Sequence, residues 1–154
     1  MKLTSKGRYA VRALLDIAYH AGGGTAQARD VARRQGIPAR FLDQIFQDLR
    51  RAGLVRSKRG PKGGFTLALD PKDVTIGQVL RAVEGPQALA IPLSGGRKPG
   101  SGERSVSPIT DTIWKELSEK VAACFDAITF EDLCKKGQAL GLARGSTDAY
   151  MYFI

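Results

Sequence analysis

Apolar residues recur at helical spacing near the start of the chain. Tyr9, Ala10, Ala13, Leu14, Ile17 and Ala18 follow the i, i+3, i+4, i+7 pattern, which predicts an amphipathic helix over residues 5–20. Thr4 or Ser5 is placed to cap it, and Gly22, Gly23 and Gly24 stop it, because three glycines lose too much backbone freedom to stay helical. A short helix is expected over 26–35 with Thr25 as its cap. A third is expected over 38–52, with Pro38 in a first turn where its missing N–H had no partner, and Gly53 at its end. The period then changes from helical to alternating. Residues 54–58 and 65–69 read as two strands around Arg59-Gly60-Pro61-Lys62-Gly63-Gly64, a hairpin with a flexible basic tip. Asp70-Pro71 closes it, and Thr75 caps a helix over 76–84 whose apolar face is Val79, Leu80 and Val83.

Residues 85–107 change character. Gly, Pro and Ser supply 12 of these 23 residues, which predicts a linker or loop. Structure is expected to resume with Ser107 as a cap and Pro108 in the first turn. Ile109, Ile113, Leu117, Val121, Cys124 and Ile128 then mark one long stripe, with Trp114 and Phe125 beside it. The stripe is too long for one small domain to cover and predicts a dimerisation helix built on Ile109, Ile113, Trp114, Leu117, Val121, Cys124 and Phe125. Packing within the protomer is the plainer alternative. Thr129 to Asp132 reads as a capping box that opens a short last helix to about Lys136. The expected organisation is a DNA-binding unit over 1–84, a loop over 85–107, the dimerisation helix and its successor over 108–136, and a tail over 137–154.

Helices two and three meet the packing demands of a helix-turn-helix. Ala32 is small where the helices touch, and Gly36 suits the left-handed turn. Val31, Ile37, Leu42 and Ile45 supply the shared core. Followed by strand, basic loop and strand, this is a winged helix-turn-helix, so the fold class is mainly α with one small β-hairpin. The third helix is expected in a major groove with its amino-terminal residues Pro38, Ala39, Arg40, Asp43 and Gln44 at the base edges. Phe41 and Phe46 are expected to face the core. The wing, with Lys58, Arg59, Gly60 and Lys62, is expected along the backbone or minor groove. Lys6, Arg8, Arg50, Arg51 and Arg56 are candidates for phosphate contacts, which set position without reading sequence. For each of these the competing reading is a solvated basic face.

Charge sharpens this picture. The 154 residues carry 24 Lys and Arg against 15 Asp and Glu, a formal charge of +9. Residues 1–66 alone hold 14 basic and 4 acidic residues, so the whole excess sits on the helix-turn-helix and wing. A polyanion partner follows, and double-stranded DNA suits the motif better than RNA or a membrane surface. No apolar stretch reaches the length of a membrane span, and MKLTSKGRY lacks the apolar run of a secretory signal, so a cytoplasmic location is expected. Catalysis is not expected: no Ser-His-Asp set, H-E-x-x-H or Walker motif is present, and residues 95–101 lack the Gly-Lys-Ser/Thr ending of a phosphate loop.

The segments MKLTSKGRYAVRALLDIA, RQGI, FLDQIF, LRRAGLVRS and RGPKGGF resemble the IscR/CymR family of bacterial winged-helix transcriptional regulators, and the likeness resumes at IWKELSEKV and DAITFEDL. The resemblance implies a homodimer on a pseudo-palindromic operator. IscR-like members hold an iron–sulfur cluster with three loop cysteines and a histidine. Here the only cysteines are Cys124 and Cys134, the only histidine is His20, and the family's histidine position falls near Asp111. No metal or cofactor is therefore expected. Pro38 and Arg40 stand where IscR-like members have Ser, and Asp43 where they have Glu, so base preference does not carry over.

The ending AYMYFI is similar to that of the cluster-free, CymR-like branch, in which a repressor of cysteine metabolism associates with cysteine synthase (O-acetylserine thiol-lyase). The resemblance implies that Tyr152, Phe153 and Ile154 dock in that enzyme. Terminal carboxylate capture with apolar anchors beside it is the physical basis, and folding of the tail onto its own dimer is the alternative. Two other readings compete: an IscR-like iron–sulfur or redox sensor with non-standard ligands, and redox sensing by Cys124 or Cys134, the latter beside Lys135 and Lys136.

Overall fold

The fold is described from a computed structural model, for residues 3–22, 24–93 and 106–142. Helix α1 (Ser5–His20) is the central element, as its stripe predicts. Ala10, Ala13 and Leu14 are fully buried, and α2 (Ala28–Gln35), α3 (Ala39–Arg51), α4 (Ile76–Glu84) and α6 (Phe130–Ala139) all pack against it. Thr4 caps α1 by accepting the Gly7 N–H at 3.2 Å, and Glu84 of α4 accepts the same N–H at 2.9 Å and also the Thr4 hydroxyl. A carboxylate at a helix amino terminus meets the positive end of the helix dipole, so this contact both caps α1 and locks it to α4.

The hairpin pairs β1 (Val55–Lys58) with β2 (Gly64–Leu67) antiparallel, Val55 opposite Leu67 and Lys58 opposite Gly64. A short 3-10 turn (Pro71–Asp73) leads to α4, whose first turn is closed by a reciprocal Thr75–Gln78 capping box. Helix α5 (Ser107–Asp126) stands off the core. None of its side chains is buried, and its ties include an Arg81–Asp126 ion pair and a 2.8 Å bond from the Ile91 N–H to the Ser118 hydroxyl. The predicted Thr129–Asp132 capping box is present at the start of α6.

Several boundaries differ from the sequence reading. Helix α2 begins two residues late. Ala26 is drawn into an extended pair with Phe65, and the Thr25 hydroxyl donates to the Lys62 carbonyl at 2.9 Å in place of capping a helix. Ser107 is the first residue of α5 and Val106 its cap, without a side-chain bond. Leu89 is buried despite the linker-like composition around it, while Pro86, Gln87, Pro92 and Leu93 are exposed. The division after residue 84 does not follow the core either. Phe130 is fully buried in the same cluster as α1 and α3, with its N–H on the Val74 carbonyl at 2.9 Å. Packing across 50 residues of sequence has no local signature, which is why periodicity assigned α6 to the dimerisation unit.

A candidate nucleic-acid interface

The helix-turn-helix is fixed by one left-handed residue and one buried carboxylate. Gly36 closes α2 with φ 61° and ψ 36°, a conformation that costs a side-chain-bearing residue about 1–2 kcal/mol. The chain can then turn into α3 with the Ile37 N–H on the Ala32 carbonyl at 3.0 Å. Asp16 of α1 lies beneath this turn with a fully buried side chain. It accepts two bonds from the Arg34 Nε, at 3.1 and 3.2 Å, one from the Arg34 terminal nitrogen at 2.6 Å, and one from the Gln35 amide at 2.8 Å. Arg12 donates to the Gln35 carbonyl. The last turn of α2 is thus clasped to α1 by charge-assisted bonds, which sets the angle at which α3 leaves.

Helix α3 divides as its spacing predicts. Leu42, Ile45, Phe46 and Leu49 are buried, while Ala39, Arg40, Asp43, Gln44 and Gln47 are exposed. Pro38 is the exposed residue preceding the helix, with φ −58° and ψ 133°. The Arg40 guanidinium lies 5.2 Å from the Phe41 ring centroid, and Phe41 meets Tyr9 edge-on at 6.0 Å. Phe41 is therefore half-buried, whereas Phe46 is in the core as expected.

The wing is held more firmly than its glycine content suggests. Phe65 of β2 stacks on Phe46 of α3 at 4.1 Å and 16°. The Ala26 and Phe65 backbones exchange two 2.8 Å hydrogen bonds. A Cβ on Gly64 would lie 2.5 Å from the Ala26 carbonyl oxygen, and one on Gly63 would lie 2.3 Å from that of Lys58. The two glycines permit close backbone approach, so the tip is pinned to the helices behind it. Lys58, Arg59, Gly60 and Lys62 are all exposed there.

The predicted phosphate contacts fall into two groups. Arg8, Arg50 and Arg56 are exposed, and Arg50 and Arg56 line one shallow groove with Gly53, Ser57 and Leu69. Lys6 and Arg51 instead bond Asp48 of α3, at 2.6 and 3.2 Å. Asp48 also accepts from the Gln44 amide at 3.1 Å. The sequence reading missed this carboxylate. Its signal was the spacing, Gln44 four residues before and Arg51 three after, which places all three along one side of a helix.

On α5, Ile109, Ile113, Trp114 and Leu117 are exposed at 65, 49, 37 and 38%. Cys124 is exposed, and Val121 and Phe125 are half-buried. Cys134 is buried on α6, while Lys135 beside it pairs with Glu131 at 2.9 Å, which raises the Lys135 pKa. That burial withdraws the Cys134 sulfur from solvent, whereas Cys124, the other candidate for redox sensing, is exposed. His20 packs edge-on to Tyr19, with its Nε2 3.9 Å from Asp16. The described residues contain no group of three or more His, Cys, Asp or Glu positioned to hold a metal ion. With one exposed and one buried cysteine on separate helices, the thiolates present do not fit a cluster held by three cysteines. Tyr152, Phe153 and Ile154 lie outside the described residues. No described helix is long and apolar enough to cross a membrane.

A family model described as Rrf2, iron-dependent transcriptional regulator, matches residues 3–136. The HTH-type transcriptional regulator IscR of Aliivibrio salmonicida is 43% identical over 133 residues, covering 86% of this chain and 77% of that protein. Among solved structures, an IscR from T. potens superposes with a TM-score of 0.72 at 32% identity, covering 99% of this chain and 97% of the other. CymR, described as the global cysteine regulator of B. subtilis, gives 0.69 at 29% identity, covering 88 and 98%.

Proposed function

This chain belongs to the Rrf2 family of transcriptional regulators, and from that premise we propose that it is a homodimer that reads double-stranded DNA with the first turns of α3 and steadies itself with the wing. It is a DNA-binding regulator with a winged helix-turn-helix and not an enzyme. The observation that carries the proposal is the rigid coupling of α3 to the wing through Phe46, Phe65 and Ala26, with Arg40, Lys58, Arg59 and Lys62 left exposed. Pro38, Ala39, Arg40, Asp43 and Gln44 are assigned to the major groove, where an arginine at the base edges suits guanine O6 and N7. Lys58, Arg59, Gly60 and Lys62 are assigned to the backbone or minor groove. Arg8, Arg50 and Arg56 are assigned to phosphates. Lys6 and Arg51 are secondary contacts, since each already faces Asp48. The exposed stripe Ile109, Ile113, Trp114 and Leu117 is assigned to dimerisation, with Val121, Cys124 and Phe125 continuing it.

The test is a fluorescence titration of a selected duplex at several salt concentrations. Neutralising about 6 phosphates per dimer lowers affinity roughly a thousandfold between 50 and 200 mM salt. A flat response would remove the electrostatic basis of the assignment.

Two readings of the signal that controls binding differ in support. The curated relatives carry the name IscR, which favours an IscR-like iron–sulfur or redox sensor with ligands other than three loop cysteines. Control of cysteine metabolism, as a repressor acting with cysteine synthase, has the likeness to the B. subtilis regulator behind it and rests on residues 152–154. The visible-region spectrum of anaerobically purified protein separates them: cluster absorption supports the first, and its absence together with calorimetric binding of cysteine synthase supports the second.

A further inference from the structure

We propose that Asp48 is a positioning residue that sets the base preference of Gln44, and this rests on the DNA-reading function above. Asp48 sits one helical turn beyond Gln44 on α3, with a side chain only 8% exposed. It accepts from the Gln44 Nε2 at 3.1 Å, from the Lys6 Nζ at 2.6 Å and from Arg51 at 3.2 Å. An ionised carboxylate only accepts hydrogen bonds. Gln44 must therefore turn its amino group towards Asp48, and its carbonyl oxygen is presented away from it. One N–H of that amino group is occupied and one remains. An acceptor beside a single free donor matches adenine, whose major-groove edge offers the N6 amino group and the N7 acceptor. Without Asp48 either end of the amide can face the groove, and the side chain loses more rotamer freedom on binding. Lys6 and Arg51 supply two positive charges against one negative, so the carboxylate stands near DNA without a net repulsion for phosphate.

The experiment compares the full-length wild type, D48N, Q44A and the double variant D48N/Q44A. A binding site is first selected from a random duplex pool, and each position is then varied singly. The expected result is a preference for A·T at one position per half-site of about tenfold or more, the range of a bidentate side chain–base pair. Q44A removes it. D48N reduces it at least threefold at that position and leaves the other positions unchanged, while adding D48N to Q44A changes no preference further. Confinement of the D48N effect to that one position, with the circular dichroism spectrum kept, separates this from a purely structural role, which would move every position together. If D48N does not fold, Asp48→Ser replaces it, since a hydroxyl both donates and accepts and cannot dictate the amide's orientation. Preferences that survive D48N, or that shift equally with and without Gln44, overturn the inference alone. A wild type that binds every duplex alike overturns the DNA-reading function and this inference with it.

Discussion

Replacing Gly64 with Ala tests whether the wing is held rigidly to the helices. The new Cβ would sit 2.5 Å from the Ala26 carbonyl oxygen and 2.7 Å from its carbon, both backbone atoms that cannot rotate away. The strand must separate, breaking the two 2.8 Å hydrogen bonds between Ala26 and Phe65. Each contributes about 1 kcal/mol net, so their loss costs about 2 kcal/mol. Gly64 also has φ +153°, which side-chain-bearing residues rarely adopt, and strain of this kind adds about 1 kcal/mol. Removing a glycine from the unfolded chain offsets about 0.7 kcal/mol of this. The expected net loss is about 2 kcal/mol, or a melting-temperature drop of roughly 4–8 °C for a chain of this size. Urea denaturation at one fixed protein concentration measures it, so that any linkage of stability to self-association is held constant. Gly60→Ala is the control: its φ is +110° but nothing lies within 4 Å, so the backbone strain of about 1 kcal/mol is largely offset by the same unfolded-state term and the net cost is below about 0.5 kcal/mol. The salt dependence of DNA binding should also become shallower in Gly64→Ala as Lys58, Arg59 and Lys62 are displaced. Equal costs for the two glycines, or Gly64→Ala within 0.5 kcal/mol of wild type by this reasoning, would refute the pinned wing.

Further outcomes follow from the same geometry. Asp16→Asn leaves the Arg34 guanidinium without its ionised acceptor and should cost about 2–3 kcal/mol, below the full range for buried pairs because the Arg34 side chain is 29% exposed. The comparison is Asp126→Asn, which loses a more exposed partner of Arg81 and should cost less than about 1 kcal/mol in the same denaturation assay. Ile113→Glu with Leu117→Glu should shift sedimentation from dimer to monomer while the circular dichroism spectrum is kept, because both side chains are exposed in the protomer. Asp132 has its carboxyl held below the usual carboxylate range, first by the Thr129 backbone N–H and then by the Thr129 hydroxyl. Its contribution is therefore present above the unfolded-state pKa and is lost as pH falls through the lower folded value. Asp132→Asn should flatten the acid limb of a stability–pH profile, and an unchanged limb would place the acid sensitivity elsewhere.

Periodicity and turn chemistry were enough to locate α1, α4 with its Thr75 cap, and the Thr129–Asp132 capping box, because each depends on neighbours within one or two helical turns. Ala32, Gly36 and the alternation around residues 59–64 were likewise enough to identify the winged helix-turn-helix, and the charge along the chain put the basic excess on that segment. Contacts between residues distant in sequence were not legible. The Asp16 clasp on α2, the Ala26–Phe65 pairing that shortened α2, and the return of Phe130 to the first core all join segments separated by 18 to more than 50 residues. The candidate side chains show the same division. Arg40, Gln44 and the spacing of Asp48 from Gln44 lie along one helix, but the Lys6 amino group that meets Asp48 comes from α1, and only the fold brings it there. Local sequence determines which face of an element is apolar or charged. Which carboxylate meets which cation across that face depends on how the helices pack, and only the tertiary structure decides it.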